Sequence, residues 1–407
     1  MTRNRERTLS IASSAFAIFL FWASLYMYVP ILPTHARDLG ATEDQIGLIL
    51  GAYGMTQLLL RLPLGLLSDR LGRKKVFALL GTLLVSASGL GLALAKTPTA
   101  LFVFRAVSGG AATAWVTISV LYNSHFPIEH AVRTSGQLNL LSAVGQILAM
   151  SMGGYLAQRF GVAAAFWSSL ILSAPVLLAF ALVRDVRARP GLGITWPQFG
   201  KAITTPRLLL VSGLAACSQY AMFGTSLGFA AVRAQDLGAS DAQLGILTTA
   251  VQVAKAIPML ALSLRGRPRG GRWMTVVGLS LIAAPLFAFP YLTRFYLLVA
   301  CQAVIGLGVG IVFPVLMGLA LQSVEPEARA SAMGVFQSVY AVGMTLGPMV
   351  SGGVARAWGI SGVYLTTGGL LVLSVAAAGI LLSAPRLVAA RPSRVAGASS
   401  GATHDSE

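Results

Sequence analysis

Gly65-Leu66-Leu67-Ser68-Asp69-Arg70-Leu71-Gly72-Arg73-Lys74-Lys75 joins two long apolar segments, and its chemistry decides how the rest of the chain is read. Glycine at 65 and 72 lets helix ends approach closely, Asp69 sits in the field of helix termini, and the cluster of Arg70, Arg73, Lys74 and Lys75 pins the turn to one membrane face. Such a turn belongs to a chain that crosses a bilayer repeatedly.

Outward from it, the composition agrees. The 407 residues are 56% apolar and 11% charged, with 44 glycines, and the mean hydropathy is +0.75, a profile foreign to water-soluble domains. Apolar runs of about 20 residues, enough to cross about 30 Å of hydrocarbon, lie near 11–32, 46–67, 75–95, 99–122, 137–157 and 162–183. A second set lies near 208–230, 242–263, 273–292, 295–321, 333–355 and 361–383. These are twelve expected spans. The first lacks a small-residue cleavage site and reads as an uncleaved helix, not a secretory signal.

The formal charge of +17 raises the question of nucleic acid, and the distribution of basic residues answers it. With the N-terminus inside, 21 of the 30 Lys and Arg fall in cytoplasmic segments, against six (Arg37, Lys96, Arg159, Arg233, Arg294 and Arg356) outside. This is the positive-inside bias of a multi-pass membrane protein with both termini cytoplasmic. The lipid bilayer is the expected partner, nucleic acid is not, and the chain is expected to act as a monomer. Cys217 and Cys301 lie within spans and imply neither a disulfide nor a metal site.

Asp38-Leu39-Gly40-Ala41 with Gln45 and Gly47 recurs as Asp236-Leu237-Gly238-Ala239 with Gln243 and Gly245, a displacement of 198. Gly145 to Gly161 and Gly343 to Gly359 keep the same shift, and span 4 aligns with span 10 at 197, placing Arg105 opposite Gln302. The chain is therefore read as an internal duplication: a bundle over 1–183, a cytoplasmic linker over 184–207 with Trp196 as an interfacial anchor, a second bundle over 208–385, and a disordered tail over 386–407. Six spans per repeat give both halves the same orientation.

The 65–75 stretch resembles the loop between helices two and three of the major facilitator superfamily, G-x-L-[AS]-D-R-x-G-R-[KR], and the resemblance extends over about residues 8–385. It implies an all-α membrane fold of twelve helices in two pseudo-symmetric six-helix bundles. It also implies a conformational-switch role for Gly65, Asp69, Arg70, Gly72 and Arg73, which in the family hold the two halves together on the cytoplasmic side. In the second half Asp69 maps to Arg267 and Gly72 to Gly270, so that copy loses the acid. R-x-x-x-G in span 4 is Arg105 to Gly109, and family members use this arginine in proton transfer or substrate binding. The drug-exporter element G-P-x-x-[GS]-G appears in span 11 as Gly347-Pro348-Met349-Val350-Ser351-Gly352, after Gly343. In span 5 it appears as Gly145 to Gly154, with Met150 where proline is expected. Gly145, Gly153, Gly154, Gly347, Pro348 and Gly352 are read as helix-packing positions.

Lys255, mid-span, is the most telling residue outside these motifs, because a charge in the membrane needs a partner or a wet cavity. The repeat places it opposite Gln57, on a ridge of Tyr53, Gln57 and Arg61 at four-residue spacing. All 13 acidic residues and all four histidines fall outside the spans, so no carboxylate or histidine relay is available at the midplane. A cavity holding Arg105 and Lys255 favours an anionic, zwitterionic or neutral solute over a lone cation. Trp22, Tyr26, Trp115, Asn139, Gln146, Gln219, Tyr220, Gln302, Gln337 and Tyr340 are further candidates for its lining. Gly306-Leu307-Gly308-Val309-Gly310 lies inside a span and reads as close helix packing, not a nucleotide loop. His125, Glu129 and His130 read as a solvated loop, so no metal and no cofactor is expected.

The expected function is secondary active transport of a small organic solute across the cytoplasmic membrane by alternating access, as efflux, with protons as a candidate coupling ion and an antiport mechanism implied by the exporter resemblance. Two alternatives stay open: an importer or facilitator of an organic anion or polar metabolite, and, from another class, a polytopic membrane enzyme or a transporter-like sensor. An enzyme would need an acid/base or metal constellation near a membrane surface, and none is seen in the sequence.

Overall fold

The computed structural model describes residues 2–127, 130–185, 200, 203–265, 270–325 and 328–381; side chains at 2–5, 62, 69, 131–132, 263, 265 and 330 also fall outside the description. Within it the chain is helical throughout. The first half holds α1 (Thr2–Tyr26), α2 (Leu32–Asp38), α3 (Glu43–Leu71), α4 (Lys74–Leu94), α5 (Pro98–Thr113), α6 (Trp115–Asn123), α7 (Ala131–Phe160) and α8 (Ala163–Leu182). The second holds α9 (Pro206–Ala221), a π-helical segment Met222–Phe229, α10 (Ala230–Asp236), α11 (Asp241–Arg265), α12 (Gly271–Ala288), α13 (Phe295–Gln322) and α14 (Arg329–Leu381).

Ten of the described helices are long and apolar enough to cross a membrane. The expected count of twelve differs for two reasons. The last of the ten runs 50 residues, and Gly359 at φ 72, ψ 175 divides it into two crossings. The second expected span is carried by α3, whose 29 residues reach about 43 Å. Residues 186–199, most of the expected linker including Trp196, and the tail from 386 lie outside the described residues.

The duplication is written into the backbone. All six positive-φ glycines of the described residues fall into three pairs 198 apart: Gly40 with Gly238, Gly72 with Gly270, and Gly161 with Gly359. Each borders or interrupts a helix, Gly270 as the N-cap of α12, in a conformation that costs a side-chain-bearing residue energy. Thr42 and Gln45 cap α3 reciprocally, and Ser240 and Gln243 do the same for α11, again 198 apart.

Two seams join the halves, α3 against α14 and α7 against α11. A Cβ on Gly47 would meet the Pro348 carbonyl oxygen, and would lie 2.8 Å from Gly352 Cα. A Cβ on Gly54 would lie 2.7 Å from the Met344 carbonyl carbon, and one on Gly154 would lie 2.8 Å from Gly245 Cα. Backbone thus touches backbone along both seams, which only glycine permits. Met150 stands 198 residues before Pro348, and its carbonyl faces Gly245 as that of Pro348 faces Gly47. The missing proline in span 5 therefore leaves the seam contact intact. Gly145, Gly153 and Gly347 pack within their own halves, against the backbone of Phe19, Met27 and Tyr220.

These seams close the end of the bundle that carries the turns at 39–42 and 237–240, and polar contacts reinforce it. Arg37 donates to Asp236 at 2.6 Å and to Glu43 at 2.6 Å, while Gln235 donates to Asp38 at 3.2 Å. The pair 37–38 and its repeat counterpart 235–236 therefore clasp each other across the pseudo-twofold axis. Arg356 meets Asp44 at 3.4 Å, and Gln158, 198 residues earlier, accepts from Ala242 N at 3.2 Å and from Ser240 at 3.1 Å.

Candidate functional site at the interface between the halves

Below the sealed end, a cavity of about 230 Å³ lies between the two halves. Its cationic lining is Arg61 from α3 and Lys255 from α11; its aromatic lining includes Trp22, Tyr26, Tyr53, Trp115, Phe223, Phe313 and Tyr340. Amides and a hydroxyl come from Gln57, Asn139, Ser142, Gln146, Gln219 and Gln252. Among the described residues no Asp or Glu lines it.

Helix geometry explains the grouping. Tyr53, Gln57 and Arg61 fall on one face of α3 by their four-residue spacing, and Asn139, Ser142 and Gln146 do the same on α7. Arg61 donates to Tyr340 at 2.6 Å, lies 5.8 Å from its ring centre, and also donates to Gln57. Gln252 reaches Gln146 at 2.6 Å. The cavity is thus bridged across each seam by one polar contact. Trp22 and Trp115 meet edge to face at 5.2 Å. Lys255 makes no hydrogen bond or ion pair among the described residues, and Gly306 and Gly310 of α13 pack on its helix, Gly310 against its own backbone carbonyl.

Several candidates named from the sequence lie away from this cavity. Arg105 does not line this cavity. It is 4% exposed, donates to Tyr28 at 3.3 Å, and lies over the Tyr53 and Tyr28 rings at 4.3 and 5.6 Å. Aromatic faces substitute for the missing carboxylate. A separate gap of about 10 Å³, shared with Tyr26 and Pro348, reaches it. Gln302 is fully buried and donates to the Ser226 carbonyl at 3.1 Å, which ties α13 to the π-helical segment and turns Gln302 away from the cavity. Tyr220 is rotated by about 100° from Gln219 around α9 and faces α14, where Gly347 packs on its backbone. Gln337 lies about one turn beyond Tyr340 along α14, outside the lining.

The 65–75 loop divides similarly. Gly72 ends α3 at φ 62, and Lys74 is 2% exposed, with its ammonium donating to Ser68 at 2.9 Å. A Cβ on Gly65 would meet only a Val116 methyl, at 3.9 Å, so its role is not tight packing. Arg70 and Arg73 are exposed; the Asp69 side chain and Arg267 lie outside the described residues. His125 is buried rather than solvated, with its carbonyl accepting from Arg7 at 2.9 Å. Glu129 lies outside the described residues, and among those described no cluster of His, Cys, Asp and Glu is placed to hold a metal ion.

Reading the sequence alone missed Gln252, Ser142, Phe223 and the methionines Met222, Met259 and Met344 as lining residues. Gln252 and Ser142 were findable, lying one turn from Lys255 and Asn139 on the same helix faces. Met222 and Phe223 were not, because they enter through the π-helical segment, and such segments recur at functional sites.

A bundle of membrane-crossing helices in two repeats, with a polar cavity at their interface and a seal at one end, defines a membrane transporter. The chain belongs to the Major Facilitator Superfamily, whose family profile matches residues 14–229 and 209–404. It is 25% identical over 353 residues to the inner membrane transport protein YajR of Escherichia coli, covering 84% of this chain and 76% of that one. Over 144 residues it is 27% identical to the quinolone resistance protein NorA of Staphylococcus aureus, covering 35% and 37% of the two chains. In fold it is similar to an inward-facing, unoccupied bacterial homologue of the human lysosomal transporter Spinster. The TM-score is 0.76 at 16% identity, over 92% of this chain and 96% of that one. The chain is thus a multi-pass membrane protein that moves small solutes, and not an enzyme.

Proposed function

We propose that this transporter exports a small organic solute across the cytoplasmic membrane by alternating access, with its termini and basic turns in the cytoplasm and its sealed end facing outward. The observation that carries the reading is the interface cavity, polar and cationic, closed from one side by two glycine seams. Rocking of the bundles 1–183 and 208–385 about that cavity, joined by the 184–207 linker, would open the seams and close the far end. There the Asp69, Arg70 and Arg73 loop would latch. The exposure of Arg70 and Arg73 fits a released latch. The chain works as a monomer in this scheme, since each half completes the other's cavity. Efflux is favoured by the partial similarity to NorA. Import of an organic anion or polar metabolite is the second reading, favoured by Arg61 and Lys255 in the lining.

Flux in reconstituted vesicles, with a proton gradient and a membrane potential imposed separately, tests this. Solute movement that follows either gradient and stops when the seams are cross-linked supports it; a cavity solute that never crosses removes it. Movement independent of the proton gradient removes the antiport form alone.

A further inference from the structure

The polar atoms of the cavity wall are unbalanced in a way that names a ligand. Trp22 Nε1, Gln57 Nε2 and Arg61 Nε belong to lining residues, are themselves covered by the wall, and have no hydrogen-bond partner among the described residues. All three are donors. The orientation of Gln57 is not arbitrary: arginine only donates, so the Gln57 oxygen must face Arg61 and its amino group must face elsewhere. Lys255 adds an ammonium with three donors and no partner among the described residues. The one buried acceptor without a partner among the described lining residues, Gln252 Oε1, belongs to the Gln146–Gln252 amide pair, which satisfies its contact equally well when both amides are turned around. Covered donors without acceptors are costly, by about 1–3 kcal/mol each, and they leave a donor-rich wall around the two lining cations, Arg61 and Lys255, a setting that favours oxygen and negative charge.

Size and walls narrow this further. A volume of about 230 Å³ falls below the range of about 300–1,000 Å³ typical of drug-sized ligands. The Trp22–Trp115 pair at 5.2 Å and the Tyr53–Phe223 stack at 6.3 Å offer aromatic faces and edges to a flat apolar body.

We infer that the solute is a small aromatic carboxylate of one or two rings, its carboxylate held by Lys255 and the Gln57–Arg61 pair and its ring against the Trp22–Trp115 wall. This rests on the transport reading and narrows it to one charge class. It also changes the energetics, because an anion leaving a negative-inside cell runs down the membrane potential, worth about 2.3 kcal/mol per charge per 100 mV. Export then needs no titrating carboxylate at the midplane, and none is present in the spans.

The test uses the full-length protein in lipid nanodiscs and calorimetric binding of benzoate, 4-hydroxybenzoate, indole-3-acetate and 2-naphthoate, each with its matched amide and amine. At least one carboxylate is expected to bind tenfold or more tighter than both of its analogues. Lys255→Gln is expected to erase that preference and Lys255→Arg to retain it, with Gln57→Glu, which supplies the missing negative charge from the wall, as the independent second variant expected to erase it. Amides or amines binding as tightly as carboxylates, no carboxylate binding up to millimolar concentration, or unchanged preference in Lys255→Gln or Gln57→Glu would overturn the inference. Counterflow of the same compounds in vesicles separates it from the transport reading: amine or amide counterflow without carboxylate counterflow sinks the charge assignment alone, while carboxylate binding without any counterflow sinks transport alone.

Discussion

Gly47 shows how much one hydrogen atom controls. Any side chain there meets the Pro348 carbonyl and the Gly352 Cα, both backbone, so neither neighbour yields cheaply. We expect Gly47→Val to keep the seam from closing; a cysteine at the sealed end should then react with an impermeant external thiol reagent at least tenfold faster than in the parent. Unchanged labelling would show that the seam tolerates the methyls. Arg61 is a different case, since its loss strands the Gln57 oxygen and the Tyr340 hydroxyl together. Arg61→Ala should lower stability by about 1–3 kcal/mol through those stranded groups, visible as a reduced melting temperature in detergent. Lys255, with no partner among the described residues, should cost little when replaced by Met. A melting temperature that falls as far for Lys255→Met as for Arg61→Ala would contradict the description of Lys255 as a free cavity cation.

The sealed end works at the level of helix ends, through α2 and α10 and the first turns of α3 and α11. Arg37, about a quarter exposed, bridges Glu43 in its own half and Asp236 in the other. Exposed pairs of this kind contribute about 0–1 kcal/mol each, enough to shift a two-state balance several-fold. Arg37→Ala should raise the population of the externally open form, measured as a longer distance between spin labels on α2 and α10. Acidity acts on this end with two signs. Asp44 is held below the usual carboxylate range, first by its hydrogen bond with Thr42, with Arg356 contributing from the other half. Asp241 is pushed up by burial first and then by Asp38 across the interface. Opening removes Arg356 from Asp44, which then binds protons more readily, so acid favours the open form through Asp44. Opening also removes Asp38 from Asp241, which then binds them less readily, so acid favours the seal through Asp241. In Asp241→Asn, lowering the external pH from about 6 to 4, through the carboxylate range, should therefore lengthen the label distance; in Asp44→Asn it should shorten it. Identical pH responses in the two variants would refute the assignment.

For the whole molecule, the charge of the solute sets the driving force. If the cargo is a monoanion, its equilibrium gradient should change about tenfold for each 60 mV of potential imposed with valinomycin and potassium, and a proton gradient without potential should do little. A gradient that tracks pH and ignores potential would point to proton exchange. Hydropathy, basic-residue bias and the 198-residue repeat made the membrane class, the number of crossings and the two-fold plan readable beforehand, because each depends on residue type and spacing along the chain. The ridge of Tyr53, Gln57 and Arg61 and the isolated Lys255 were readable for the same reason, as helix faces and as charges out of place. Which of them share a cavity was not. Arg105 and Gln302 carry polar groups like the others, but they are turned into aromatic and backbone partners by rotations that only packed neighbours impose. The π-helical segment packs mainly on α14 of its own half, more than 100 residues away, and the seal joins 37–38 to 235–236 across halves nearly 200 residues apart; in both, distance in space, not along the chain, sets the energy.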